Sequence, residues 1–227
     1  MLKIIAGNFK SNLNRKSTIG FLKSLDSTLD NISNKEIYIF PATSSLVENN
    51  FKHIILGAQN AHYAESGAFT GEITLHHLEE FNIKTILIAH SERRNLFGES
   101  DEICATKFDF FKERDFRIFY CIGESLEVRE SGKMLEFLDS QISKIDLDYQ
   151  NLVLAYEPLW AIGTGRVAKA EQISEIYRFL KSRTNAPIIY GGSVNEKNAS
   201  EILGICDGVL VGSASLKVES FYEIIKG

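Results

Sequence analysis

Glu157 closes the apolar run LVLAY and is followed at once by Pro158, so a carboxylate stands at a stiffened exit from a buried segment. A carboxylate fixed in this way suits general-base work, which needs the base within hydrogen-bond reach of the proton it takes. It shares its parity with Val153 and Ala155 and therefore projects with two core residues; a surface salt bridge is the plainer alternative. His90 ends ILIA and precedes SERR, where Ser91, Glu92 and Arg93 open a short helix. A helix N-terminus favours neutral imidazole, which donates a hydrogen bond without changing charge. A structural histidine is the alternative there. On the sequence pattern His90 falls on the strand face of Ile86 and Ile88.

Asn8 and Lys10 follow the first apolar run with equal parity, so an extended chain points both to one side. A lysine facing a closed interior needs an anionic partner; a lysine that snorkels to solvent is the alternative. YGGSV (residues 190–194) and VGSAS (residues 211–215) follow the last two apolar runs. Glycine turns there offer backbone N–H groups to phosphate, or are simply tight turns. GTG at 163–165 adds unhindered N–H groups beside Glu157.

The elements that must hold these residues are legible as eight short β-favouring runs at 3–6, 36–40, 54–58, 85–89, 117–122, 152–156, 187–190 and 208–211. Helical periodicity lies between them, as in Ile19, Leu22, Leu25, Leu29 and Ile32, and again in Ile173, Ile176, Tyr177 and Leu180. Strands alternating with helices predict parallel pairing. Eight units in 227 residues predict a (β/α)8 barrel, slightly below its typical ~250 residues. A doubly wound sheet is the alternative, but its glycine-rich loop is missing after the first run, which leads into GNFKSN. With three prolines and no shift in composition, residues 1–227 are expected to form a single domain. Polar residues fall at the C-terminal ends of the runs, including Gln59, Asn60, Cys121 and Glu124. That is the face on which such barrels build their sites.

Bulk properties narrow the function. A net charge of -5 argues against a nucleic-acid partner. Three scattered cysteines give neither a disulfide framework nor a zinc pattern. The N-terminus reads without a signal core, and no apolar stretch reaches the ~18 residues of a membrane span. A soluble, cytoplasmic protein without membrane partners is expected.

Seven motifs, GNFKSN, GAQNAHYAESGAFTGE, AHSERRNLFGESDE, CIGES, AYEPLWAIGTG, YGGSV and LVGSASL, stand in one order and spacing. Through them the chain resembles the triosephosphate isomerase family along almost its whole length. The resemblance implies interconversion of dihydroxyacetone phosphate and glyceraldehyde 3-phosphate with no cofactor and no metal. It implies that Asn8, Lys10, His90 and Glu157 are catalytic, and that Gly163, Ser193, Gly212 and Ser213 bind phosphate. It further implies that Glu92 pairs with Lys10, that Cys121 supports the site by packing, and that a lid hinged at Pro158–Trp160 and at 164–168 carries Gly163 to the substrate. The long loop 59–72 implies a homodimer. Ser213 departs from the family's usual glycine and Arg166 from its usual lysine, and the chain is shortened around 144–149 and 183–187. A Schiff-base aldolase using Lys10, or a barrel kept for scaffolding, are the rival readings. The scaffold has no need for Asn8, Lys10, His90 and Glu157 together.

Overall fold

The computed structural model describes residues 2–162 and 167–227. Its strands are β1 (Lys3–Asn8), β2 (Lys35–Phe40), β3 (Ile54–Leu56), β4 (Thr85–Ile88), β5 (Arg117–Ile122), β6 (Leu152–Tyr156), β7 (Ile188–Tyr190) and β8 (Gly208–Val211). They pair in parallel in the order β3-β2-β1-β8-β7-β6-β5-β4. The two ends of this sheet meet through a parallel bridge between Ala58 and Ile86. There Ala58 N donates to Thr85 O at 2.9 Å and Leu87 N to Ala58 O at 2.8 Å. These bonds close the (β/α)8 barrel and, among the described residues, leave no long sheet edge unpaired.

The strands sort their side chains into two layers, as period-two alternation requires. Ile4, Ala6, Leu87, Phe119, Val153 and Ala155 fill the barrel interior. Phe119 there takes edge contacts from Tyr38 at 4.9 Å and Phe40 at 5.2 Å. Ile5, Ile37, Ile86, Ile118 and Leu154 face outward under the helices. Each such apolar side chain contributes about 1.5–3 kcal/mol on burial.

The helices are α1 (Arg15–Thr28), α2 (Leu75–Glu80), α3 (Ser91–Phe97), α4 (Asp101–Lys112), α5 (Leu126–Glu130), α6 (Met134–Ile142), α7 (Ala170–Lys181), α8 (Ala199–Ile205) and α9 (Val218–Lys226). In α7 the periodic residues Ile173, Ile176 and Leu180 are buried as expected. The earlier periodic set overruns α1, which ends at Thr28 with Leu29 as its cap; Leu29 is nonetheless fully buried. The connection from β2 to β3, all of it within the described residues, carries only a 3₁₀ turn, Thr43–Ser45. Buried Leu46 covers the outer face there, so one of the helices expected between strands is absent. Among the described residues no helix is long and apolar enough to cross a membrane.

Candidate active site

β1 sets the first two polar groups. Ile4 and Ala6 point inward, and alternation carries Asn8 to the same side at the strand's last position. The chain does not stay extended to Lys10, which has φ 50. A non-glycine residue in that region costs on the order of 1–3 kcal/mol unless its surroundings hold it there. Here they do: Asn8 Oδ1 accepts from Lys10 N at 2.9 Å, and Gln59 Nε2 donates to Lys10 O at 2.8 Å. The turn, not strand alternation, thus brings Lys10 beside Asn8. Its Nζ lies 2.5 Å from Glu92 Oε1.

His90 arrives by a similar break. Ile86 and Ile88 lie in the outer layer, so an unbroken strand would send His90 outward with them. Ala89 at φ 65 interrupts the alternation and turns the imidazole into the barrel mouth. His90 is the N-cap of α3, where its Nδ1 accepts from Glu92 N at 3.2 Å. The remaining ring proton therefore sits on Nε2 in the neutral form.

Glu157 follows the alternation of β6 without a break. It is 3% exposed, and its backbone N donates to Ile122 O at 2.7 Å. One carboxylate oxygen, Oε1, lies 3.2 Å from His90 Nε2. The other, Oε2, accepts from Ser91 N at 3.4 Å. Burial raises the carboxyl, but His90, the Ser91 N–H and Lys10 outweigh it and hold Glu157 below the ordinary glutamate value. Burial likewise works against charge on His90, while the Glu157 and Glu92 carboxylates lift it above the ordinary imidazole value. Cys121 is fully buried in the inner layer, and burial beside Glu157 pushes its thiol far up. An inert, packed thiol is consistent with that environment.

Two glycines make this placement possible, and the chemistry of the motifs points to neither. A Cβ on Gly191 would stand 2.8 Å from Glu157 Cγ, and one on Gly123 would stand 1.8 Å from Glu157 O. Their only signal is their presence in YGGSV and CIGES. The role of Ser91 is equally hidden, since a backbone N–H leaves no mark in sequence. Beyond Glu157, buried Glu124 Oε1 accepts from Tyr156 OH and Trp160 Nε1, each at 3.0 Å, and from Arg129 Nη1 at 3.2 Å. This anchors the chain on both sides of the carboxylate.

Asn8, Lys10, His90 and Glu157 line one cavity of about 460 Å³. Ser193, Gly192, Gly212 and Ser213 line it as well. Ser193 Oγ donates to Ala161 O at 2.7 Å, tying the β7 turn to the segment after Glu157. Ser213 begins a 3₁₀ turn and is not among the positive-φ residues, so its side chain in place of glycine carries no backbone strain. Gly163 and Arg166 lie outside the described residues. Among the described residues no group of three or more His, Cys, Asp or Glu is arranged to hold a metal.

The sequence profile of the triosephosphate isomerase family matches residues 3–227. A protein of Helicobacter hepaticus named triosephosphate isomerase is 51% identical over 232 residues, covering 99% of each chain. Its namesake in Campylobacter hominis is 49% identical, covering 98% of each. That of Sulfurimonas denitrificans is 49% identical over 96% of this chain and 92% of its own.

Proposed function

The chain belongs to the triosephosphate isomerase family, and on that premise we propose that it interconverts dihydroxyacetone phosphate and D-glyceraldehyde 3-phosphate, a step of glycolysis and gluconeogenesis. The observation that carries this reading is a single cavity with Lys10, His90 and Glu157 in its walls together with the turns after β7 and β8. The backbone N–H groups of Ser193, Gly212 and Ser213 take the phosphate, joined by that of Gly163. Glu157 removes a proton from C1 of the ketone, and the electron pair moves onto the C2 oxygen as an enediolate. His90 Nε2–H, the Lys10 ammonium and the Asn8 amide stabilise the enediolate oxygens; preorganised donors of this kind are usually a large part of catalysis. The hydroxyl proton passes from O1 to O2 through the His90 imidazole, which leaves the negative charge on O1. Glu157 then returns its proton to C2 as the C1=O bond forms.

The balance of charges suits this sequence. The Glu157 carboxylate is a main upward influence on His90. Once Glu157 holds the substrate's proton, that influence is gone, and burial favours neutral imidazole. A glutamate base paired with a neutral histidine electrophile is the known pattern of triosephosphate isomerase itself. Glu92 holds Lys10 in place through its ion pair. No cofactor or metal enters, because the proton moves between neighbouring carbons through one side chain. A coupled assay of triose phosphate interconversion tests the reading; turnover is expected, with no covalent adduct on Lys10 after borohydride treatment. A folded protein without turnover would rule it out.

A homodimer in the cytoplasm is the form we assign to it. Leu96 and Phe97 on α3 are 73% and 64% exposed, and Phe69 on the 59–72 loop is 39% exposed. Phe97 lines one cavity with Gly71 and Glu72 of that loop, and exposed large apolar side chains on neighbouring segments mark an interaction surface. Light scattering is expected to give twice the chain mass, and a fully active monomer would refute the assembly.

A further inference from the structure

A second cavity, of about 380 Å³, lies behind the site, between the α3–α4 connection and α6. Its polar walls include Ser91, Arg94, Asn95, Glu99 and Gln141. Among the described residues Glu157 alone lines both this cavity and the one that holds the front of the site. The carboxylate is therefore a partition: Oε1 meets His90 in front, while Oε2 meets the N–H of Ser91, a wall of the rear cavity. Two buried atoms of the rear wall, Arg94 Nη2 and Glu99 Oε2, have no hydrogen-bond partner among the described residues. The rest of Arg94 is committed, with Nε donating to Ala89 O and Nη1 to Asp101. Glu99 Oε1 is held by Arg93 and Lys107. An unpaired buried donor or acceptor costs on the order of 1–3 kcal/mol, and a polar space of this size accommodates water, at ~30 Å³ per molecule.

We infer that the rear cavity is a hydrated path by which Glu157 exchanges its proton with solvent independently of the substrate mouth. The inference rests on Glu157 being the base. After abstraction Glu157 is a carboxylic acid carrying the substrate's hydrogen. A half-turn about Cγ–Cδ presents that O–H to the rear. There the acid gives its proton to one cavity water while a neighbouring water returns a solvent proton to the carboxyl. The acid and the waters are regenerated, and only the identity of the hydrogen changes. The walls of this path are α3, the α3–α4 connection, α4, α6, strand ends and Leu159 of the 3₁₀ turn after β6, a set that shares only Glu157 with the front cavity among the described residues.

The mouth of the cavity offers two handles outside the catalytic group. Asn95 is exposed and Phe137 half-buried, and both line it. With dihydroxyacetone phosphate deuterated at the transferred C1 position, in ordinary water, mass spectrometry of the trapped product reads the deuterium kept at C2. Asn95→Trp narrows the mouth and is expected to raise retention by about twofold, while Phe137→Ala widens it and lowers retention by a similar factor, with proton transfer through one water as the controlling step. Neither changes kcat by more than about twofold, which separates the path from a structural effect on the site. Retention equal to wild type in both variants, or shifted in the same direction, overturns the path. If wild-type protein gives no product, the isomerase reading fails first and this inference falls with it.

Discussion

Glu157→Gln is expected to lower kcat for isomerisation by about a thousandfold while leaving KM close to its wild-type value. The amide keeps the shape of the side chain and still accepts from His90 Nε2, which lies 3.2 Å from the Glu157 oxygen. It has no basicity with which to take a proton from carbon. A loss in kcat without a rise in KM is the mark of an interaction made in the transition state. Stability should respond in a separate, pH-dependent way. Glu157 sits below its ordinary value of 4.5, so its contribution is fully present above that pH and disappears as pH falls through the lowered value. His90 sits above its ordinary 6.5, so its contribution is full below that pH and is lost as pH rises through the raised value. The pair thus stabilises the wild type most between about pH 4.5 and 6.5. Melting temperatures across this range should show the excess in wild type and not in Glu157→Gln. Wild-type turnover in the variant, or the same pH dependence of melting, would remove Glu157 from the role of base.

The sequence is most transparent where a strand runs unbroken to its functional residue. Glu157 follows Val153 and Ala155 through regular alternation, so its direction is read two residues at a time. His90 is the opposite case. Its parity with Ile86 and Ile88 points outward, and the left-handed Ala89 reverses it. Nothing in the side chain of an alanine announces such a conformation. Lys10 reaches the expected cavity through a turn held by Asn8 and Gln59, two residues whose polarity is visible in the sequence but whose hydrogen bonds are not. The Lys10–Glu92 pair comes from family resemblance; 82 residues separate its members, too far for local spacing to suggest it. The missing helix between β2 and β3 is obscured because Leu46 supplies from a loop the outer cover that a helix normally gives. The rear cavity is harder still, since its walls come from four separated segments, and although most of them fall in AHSERRNLFGESDE, only Glu157 among the wall residues has a side chain whose chemistry is legible.

Gly123→Ala should be the most damaging single methyl addition at the site. Gly123 follows β5, and Gln141 holds it on both sides: its N–H donates to Gln141 Oε1 at 2.9 Å, and its carbonyl accepts from Gln141 Nε2 at 3.4 Å. The neighbouring chain is held equally firmly, with Glu157 N donating to Ile122 O at 2.7 Å. An added Cβ would lie 1.8 Å from Glu157 O and 2.7 Å from its carbonyl carbon. Both obstacles are backbone, so no rotamer change relieves the contact. β5 and β6 must separate locally, and Glu157 must move on the order of 1 Å, a displacement of the reacting group that costs about a hundredfold in rate. Overpacking of a tight interior adds about 1–3 kcal/mol of destabilisation, roughly 2–4 °C in melting temperature per kcal/mol for a chain of this size. Gly20 supplies the control. It sits in α1, and an added Cβ there would meet nothing within 4 Å, so Gly20→Ala should stabilise by about 0.5–1 kcal/mol through helix propensity. The same chemical change is therefore expected to have opposite signs at the two positions. Melting curves and steady-state kinetics of the two variants decide it. If Gly123→Ala melts with wild type and keeps its kcat, the close approach of β5 to Glu157 does not fix the base.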